Sequence, residues 1–125
     1  YQYEKGKSKY PAYHFSLSAR PNGRYGLLYL NKGTWNDKQI IPEEWISIST
    51  KPYSEYNSEY GISYGMLWYV KGESFYHTGA GIHMLAIYPN SNMVLVHRVD
   101  TENDFNYNKG DFYKMIGLVF DSKIQ

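Results

Sequence analysis

The sequence predicts an α+β fold: an antiparallel β-sheet of about four strands, with two preceding helices and a C-terminal helix on one face. Three observations carry this. The first half holds two short segments with helix starts and stops. Residues 64–99 hold strand-like apolar runs broken by turn residues, and Phe112, Met115, Ile116, Val119 and Phe120 recur at helical spacing near the end. The length of 125 residues fits a single domain, 1–125, with a small core.

Residues 1–13 keep no hydrophobic period, with Lys5, Lys7 and Lys9 alternating among Gly6, Ser8 and Tyr10, so they are expected to be irregular or extended. Ser18 suits the N-cap of a helix that begins at Ala19 and tolerates Pro21 in its first turn. Tyr25, Leu28 and Tyr29 give that helix an apolar face, and Asn31-Lys32-Gly33 is its stop. Asn22 and Gly23 weaken its middle. An interior glycine costs about 1 kcal/mol against alanine, so packing must hold this helix.

Thr34 to Lys38 reads as a turn anchored by Trp35. Pro42-Glu43-Glu44-Trp45 opens the second helix, where the two carboxylates favour the positive end of the dipole. Trp45, Ile46 and Ile48 are expected to pack inward, and Thr50-Lys51-Pro52 ends the helix. A polar loop follows over Tyr53–Tyr60. Met66–Val70 and Ser74–Thr78, joined by Lys71-Gly72-Glu73, form a hairpin. His83–Tyr88 and Met93–Val99, joined by Pro89-Asn90-Ser91-Asn92, complete the sheet. Asp111 is the expected cap of the last helix.

The formal charge of +1 arises from 13 basic and 12 acidic residues with no basic block, which argues against a nucleic-acid partner. With no cysteine, disulfides, thiolate chemistry and cysteine-based zinc sites are excluded. The four histidines follow no metal-ligand spacing, so no metal or cofactor is expected. His97, in an apolar strand, reads as an edge or core histidine with a local partner. Apolar runs are far too short for a membrane-spanning helix. The chain does not begin with Met and is read as processed or fragmentary. The 15 tyrosines fit half-buried strands, where the ring packs and the hydroxyl reaches water.

The candidate site is the strand end Ser74 to Gly81. Side-chain alternation puts His77 and Gly79 on one face and Thr78 on the other unless the strand bends. Gly79 and Gly81 leave the N–H of Ala80 open, and an uncovered amide beside a hydroxyl and an imidazole suits an anionic or oxyanionic group. A plain tight turn is the alternative.

Ser18-Ala19-Arg20, Tyr25 to Trp35, Gln39 to Trp45, Tyr64 to Trp68, His77-Thr78-Gly79-Ala80-Gly81 and Val94 to Val99 occur in an order that resembles the serine β-lactamase and penicillin-binding-protein-like family. The likeness is greatest to its class C, D-alanyl-D-alanine carboxypeptidase and esterase branch, and it runs from about His14 onward. The resemblance implies a partial β-lactamase/transpeptidase-like fold and assigns His77, Thr78 and Gly79 to the third catalytic box. It gives His77 the place of the basic residue, Thr78 that of the hydroxyl that helps hold a substrate carboxylate, and the Ala80 amide half of the oxyanion hole.

No serine here is followed three residues later by lysine, so the family's nucleophile is missing. Tyr29-Leu30-Asn31 and Tyr88-Pro89-Asn90 spell its second box only by chance. Ile82-His83 and Pro21-Asn22-Gly23 depart from its usual residues.

The resemblance therefore implies the C-terminal portion of a larger domain, silent by itself. Its partners would be an N-terminal, nucleophile-bearing part and an acyl-peptide, β-lactam or ester substrate. An exposed sheet edge would favour oligomers. The family suggests an extracytoplasmic or cell-envelope location. The alternative is a non-catalytic peptide- or sugar-binding or structural domain on the same scaffold.

Overall fold

A computed structural model describes residues 17–101, 103 and 108–122. The expectations for residues 1–13 and for His14 lie outside the described residues. The order is α1 (Ala19–Leu30), β1 (Thr34–Trp35), β2 (Lys38–Gln39), α2 (Glu43–Ser49), β3 (Ser54–Asn57), β4 (Ile62–Tyr64), β5 (Tyr69–Lys71), β6 (Ser74–Gly79), β7 (His83–Tyr88), β8 (Met93–His97) and α3 (Lys109–Asp121). The two-residue strands β1 and β2 form a small hairpin, and β3 to β8 form an antiparallel sheet in sequence order. The α+β architecture is as expected, with two helices before the sheet and one after it.

The sheet has six strands rather than about four, and the two added ones are β3 and β4. β3 lies within the expected polar loop. It is an exposed edge strand whose register shifts between Glu55 and Asn57, so it carries no buried face to mark it in the sequence. The other added strand, β4, precedes the expected strand Met66–Val70, of which only Tyr69 and Val70 pair, in β5. Leu67 takes a left-handed φ of 67°, and the chain bends between β4 and β5, with the Gly65 N–H donating to the Trp68 carbonyl at 2.7 Å. The bend drops Trp68 into the core at 3% exposure and leaves Leu67 outside.

The sheet separates two apolar layers. One face packs α1 and α2 against the strands through Tyr29, Ile46, Trp68, Val70, Phe75, Leu85 and Ile87. On the other, Phe112 of α3 meets Met84, Ala86 and Leu95, with Met115, Ile116 and Val119 beside it. The expected helical stripe therefore lies across one sheet face.

Local details correct three expectations. Ser18 sits at the N-cap of α1, but its side chain makes no cap hydrogen bond. Asn108, not Asp111, caps α3: its Oδ1 accepts from the amides of Gly110 at 2.7 Å and Asp111 at 3.4 Å. Asp111 instead occupies the first turn, where the dipole favours a carboxylate. In α2, Ile46 and Ser49 turn inward at i and i+3, so Trp45, one position off that stripe, stays half exposed.

Gly26 lets α1 approach the sheet. A Cβ there would stand 2.5 Å from Val94 Cγ1 and 2.9 Å from Leu85 Cδ1, and Val94 has little χ1 freedom to yield. Gly26→Ala should gain about 1 kcal/mol of helix propensity and lose about 1–3 kcal/mol to overpacking. The expected net result is destabilisation, read as a lower urea midpoint.

Candidate functional site at the end of β6

β6 pairs with β7 along its length, from Phe75↔Ile87 to Gly79↔His83, but with β5 only over Ser74–Tyr76. Among the described residues, no strand pairs with His77, Thr78 and Gly79 on the β5 side. The β5–β6 connection is the two-residue turn Gly72-Glu73, with Gly72 at φ 58°. Such a hairpin closes on a hydrogen-bonded pair, here Lys71 and Ser74. Alternation then turns the backbone groups of Tyr76 toward β5. It turns those of Thr78, two residues on, toward the uncovered side, and the extended Gly79 directs the Ala80 N–H the same way, while the Ala80 carbonyl accepts from the His83 N–H within the turn.

The pairing with β7 ends at Gly79, and Ala80 opens a single 3₁₀ turn, Ala80–Ile82. Amides at the start of such a turn have no acceptor within it. Ala80 is exposed. Gly81 and Ile82 both have positive φ, 67° and 58°, a conformation that costs a β-branched residue about 1–2 kcal/mol. Backbone strain of this kind persists only where surrounding contacts enforce it. Here the His97 Nδ1–H donates to the Ile82 carbonyl at 2.9 Å, and the Val99 N–H donates to His83 Nδ1 at 3.3 Å. His97 is thus a histidine with a local partner, as expected, and that partner is the turn beside Ala80.

His77 shares the α1 face with Phe75. Its half-buried ring lies 4.9 Å from that of Trp68. It lines a cavity of about 450 Å³ with Leu17, Asn22 and Tyr25 from the α1 segment and Arg98 from the end of β8. Burial lowers the His77 pKa below 6.5, so the imidazole is neutral at neutral pH and can donate one hydrogen bond and accept another. Burial, then the hydrogen bond and charge of Tyr29, raise the pKa of Tyr25. Arg98 supplies the cavity's positive charge.

The strand does not bend at Thr78, which pairs with Met84 in unbroken register. Its side chain therefore lies on the opposite face from His77 and borders a larger cavity under α3. The structure brings His77, Gly79 and Ala80 to one strand end. Thr78 contributes only its backbone there. Sequence reasoning missed Asn22, Tyr25 and Arg98. The signal was present at Asn22, a polar residue inside a helix, which is only 7% exposed and faces the His77 cavity.

The histidines predict a pH response. The folded His77 resists protonation because of burial, and His83 does so because of burial and the charges of Arg98 and His97. Unfolded imidazoles take up protons near pH 6.5 that the folded state refuses, so stability is full above that pH. It should fall as the pH drops through 6.5, and level off once the folded rings also protonate. Urea midpoints measured from about pH 7.5 to about pH 5 should decline, and less steeply in His77→Gln.

Among the described residues, no group of three or more histidine, aspartate or glutamate side chains could hold a metal ion, and no helix is long and apolar enough to cross a membrane. No protein-family profile matches the chain, and no curated protein matches it. Among solved structures, one described as "Putative 6-aminohexanoate-dimer hydrolase from Bacillus anthracis" is similar, with 27% identity and a TM-score of 0.60. The match covers 86% of this chain and 30% of the other, so the chain spans under a third of its neighbour's length. The α+β fold read from the sequence is therefore similar to that of a segment of this hydrolase structure.

Proposed function

We propose that this chain is the C-terminal portion of a serine hydrolase of the β-lactamase-like kind, and that it supplies one wall of an acyl-transfer site. The observation that carries the reading is the uncovered edge of β6, where the backbone groups of Thr78 and the N–H of Ala80 face outward beside the His77 cavity. An extended acyl-amide or ester substrate pairs along this edge as an added strand. Its carbonyl oxygen accepts from the Ala80 N–H, which strengthens as negative charge develops there. The neutral His77 hydrogen-bonds the reacting group's neighbours, and Arg98 attracts a substrate carboxylate.

The nucleophilic serine comes from a separate, N-terminal part of the protein, because no Ser-x-x-Lys occurs here. That part also covers the edge strand β8, whose Met93-Val94-Leu95-Val96 run offers an apolar, unoccupied ladder among the described residues. The neighbour's name gives the dimer of 6-aminohexanoate as what that protein hydrolyses. The shared chemistry supports a small acyl compound with a carboxylate for the present chain.

Amide NMR of the 125-residue chain titrated with an N-acyl-D-alanyl-D-alanine tests this. Shifts should centre on Thr78 and Ala80 and on the His77 ring, without turnover of a chromogenic β-lactam or acyl ester. Covalent labelling of this chain alone by penicillin would refute the reading, as would shifts confined to residues elsewhere.

A further inference from the structure

On the face away from His77, a cleft of about 830 Å³ lies between β6 and α3, within the size range of small-molecule sites. Its ends differ in chemistry. Lys71 and Ser74, paired across the β5–β6 hairpin, lie at one end. They face Asn90 and Ser91, which follow β7 where Ile87 runs beside Phe75. The other end is set by the Thr78↔Met84 pair, where Phe112 packs on Met84 and Ile116 extends the apolar wall. From Ser74 to Thr78 the strand advances about 13 Å, at about 3.3 Å per residue. Lys71 is the one charged side chain among the described residues that line the cleft. Burial keeps the phenols of Tyr76 and Tyr88 protonated above the ordinary tyrosine range, so both remain hydrogen-bond donors.

We infer that this cleft binds an amphiphilic carboxylic acid, with its carboxylate at Lys71 and Ser74 and its apolar chain laid along β6 toward Met84 and Phe112. A single cation beside hydroxyls and amides matches one anionic head. Ile62 and Phe120, the latter against Tyr88, add apolar surface beside the Lys71 end. Met84, Phe112 and Ile116 leave the far end without a charge among the described residues, which gives the tail a direction and rejects a second charge. The site is independent of the acyl-transfer reading, because side chains on the two faces of β6 do not meet.

Calorimetric titration of the full chain with decanoate, 1-decanol and decyltrimethylammonium, below their micelle-forming concentrations, tests the inference. Decanoate should bind about tenfold tighter than the alcohol, as expected for one charge-assisted contact, and the ammonium compound more weakly than either. Lys71→Gln should bring decanoate to the alcohol's level with an unchanged urea midpoint, since Lys71 is exposed. Ala80→Pro should leave decanoate binding unchanged, which separates this site from the edge of β6. Equal affinity for acid and alcohol, a preference that survives Lys71→Gln, or a second copy of the chain seated in the cleft by sedimentation would overturn it.

Discussion

Trp68→Ala should destabilise the protein by about 3–5 kcal/mol, the range for emptying a buried aromatic position, against a total of about 5–15 kcal/mol for a domain. Trp68 is 3% exposed and joins four rings: Tyr29 at 4.8 Å, His77 at 4.9 Å, Phe75 at 5.2 Å and Tyr25 at 6.2 Å. Edge-to-face and offset contacts of this sort add to the area they bury. The loss should also be chemical. With the indole gone, water reaches the imidazole, and the His77 pKa should move back up toward 6.5 in an NMR titration. Trp68→Phe should recover most of the stability. If the alanine variant unfolds at the parent's urea midpoint, this ring cluster is not what holds α1 on the sheet.

Ala80→Pro should weaken binding of a carboxylate-bearing acyl ligand by about tenfold to a hundredfold, the value of one hydrogen bond to a charged group. The substitution removes one N–H and little else. Proline suits the first position of a helical turn, which Ala80 occupies. The preceding Gly79 is already extended, at φ −135° and ψ −174°, as a residue before proline prefers. The urea midpoint should therefore stay close to the parent's while the binding isotherm shifts. Unchanged affinity would show that the Ala80 amide is not the donor.

Much of the architecture was legible because burial writes a period into the sequence. α1 starts at Ala19 after Ser18 and carries Tyr25, Leu28 and Tyr29 at helical spacing, and β7 spans His83–Tyr88 as expected because, buried on both faces, it reads as a continuous apolar run. β3 was not legible: exposed along its length, it carries no apolar alternation, and only its pairing with β4 makes it a strand. The late start of β5 at Tyr69 was hidden because a bend at Leu67, left-handed and exposed, contradicts its own local preference. The position of His77 and Gly79 on one face and Thr78 on the other followed from strand alternation alone. The cavity around His77 did not, because Asn22, Tyr25 and Arg98 reach it from elements far apart in sequence.

The alternation of β6 also limits how this protein can change in length. With the β5 ladder held, deleting one residue in the Gly72-Glu73 turn would present Tyr76 and Thr78 where Phe75 and His77 now stand, and inserting one would present Ser74 and Tyr76 there, exchanging the contents of both layers at once. A two-residue change would restore the parity. Viable homologous hairpins should therefore differ at this turn by even numbers of residues, and a single-residue insertion there should do more harm than most substitutions in the strand itself.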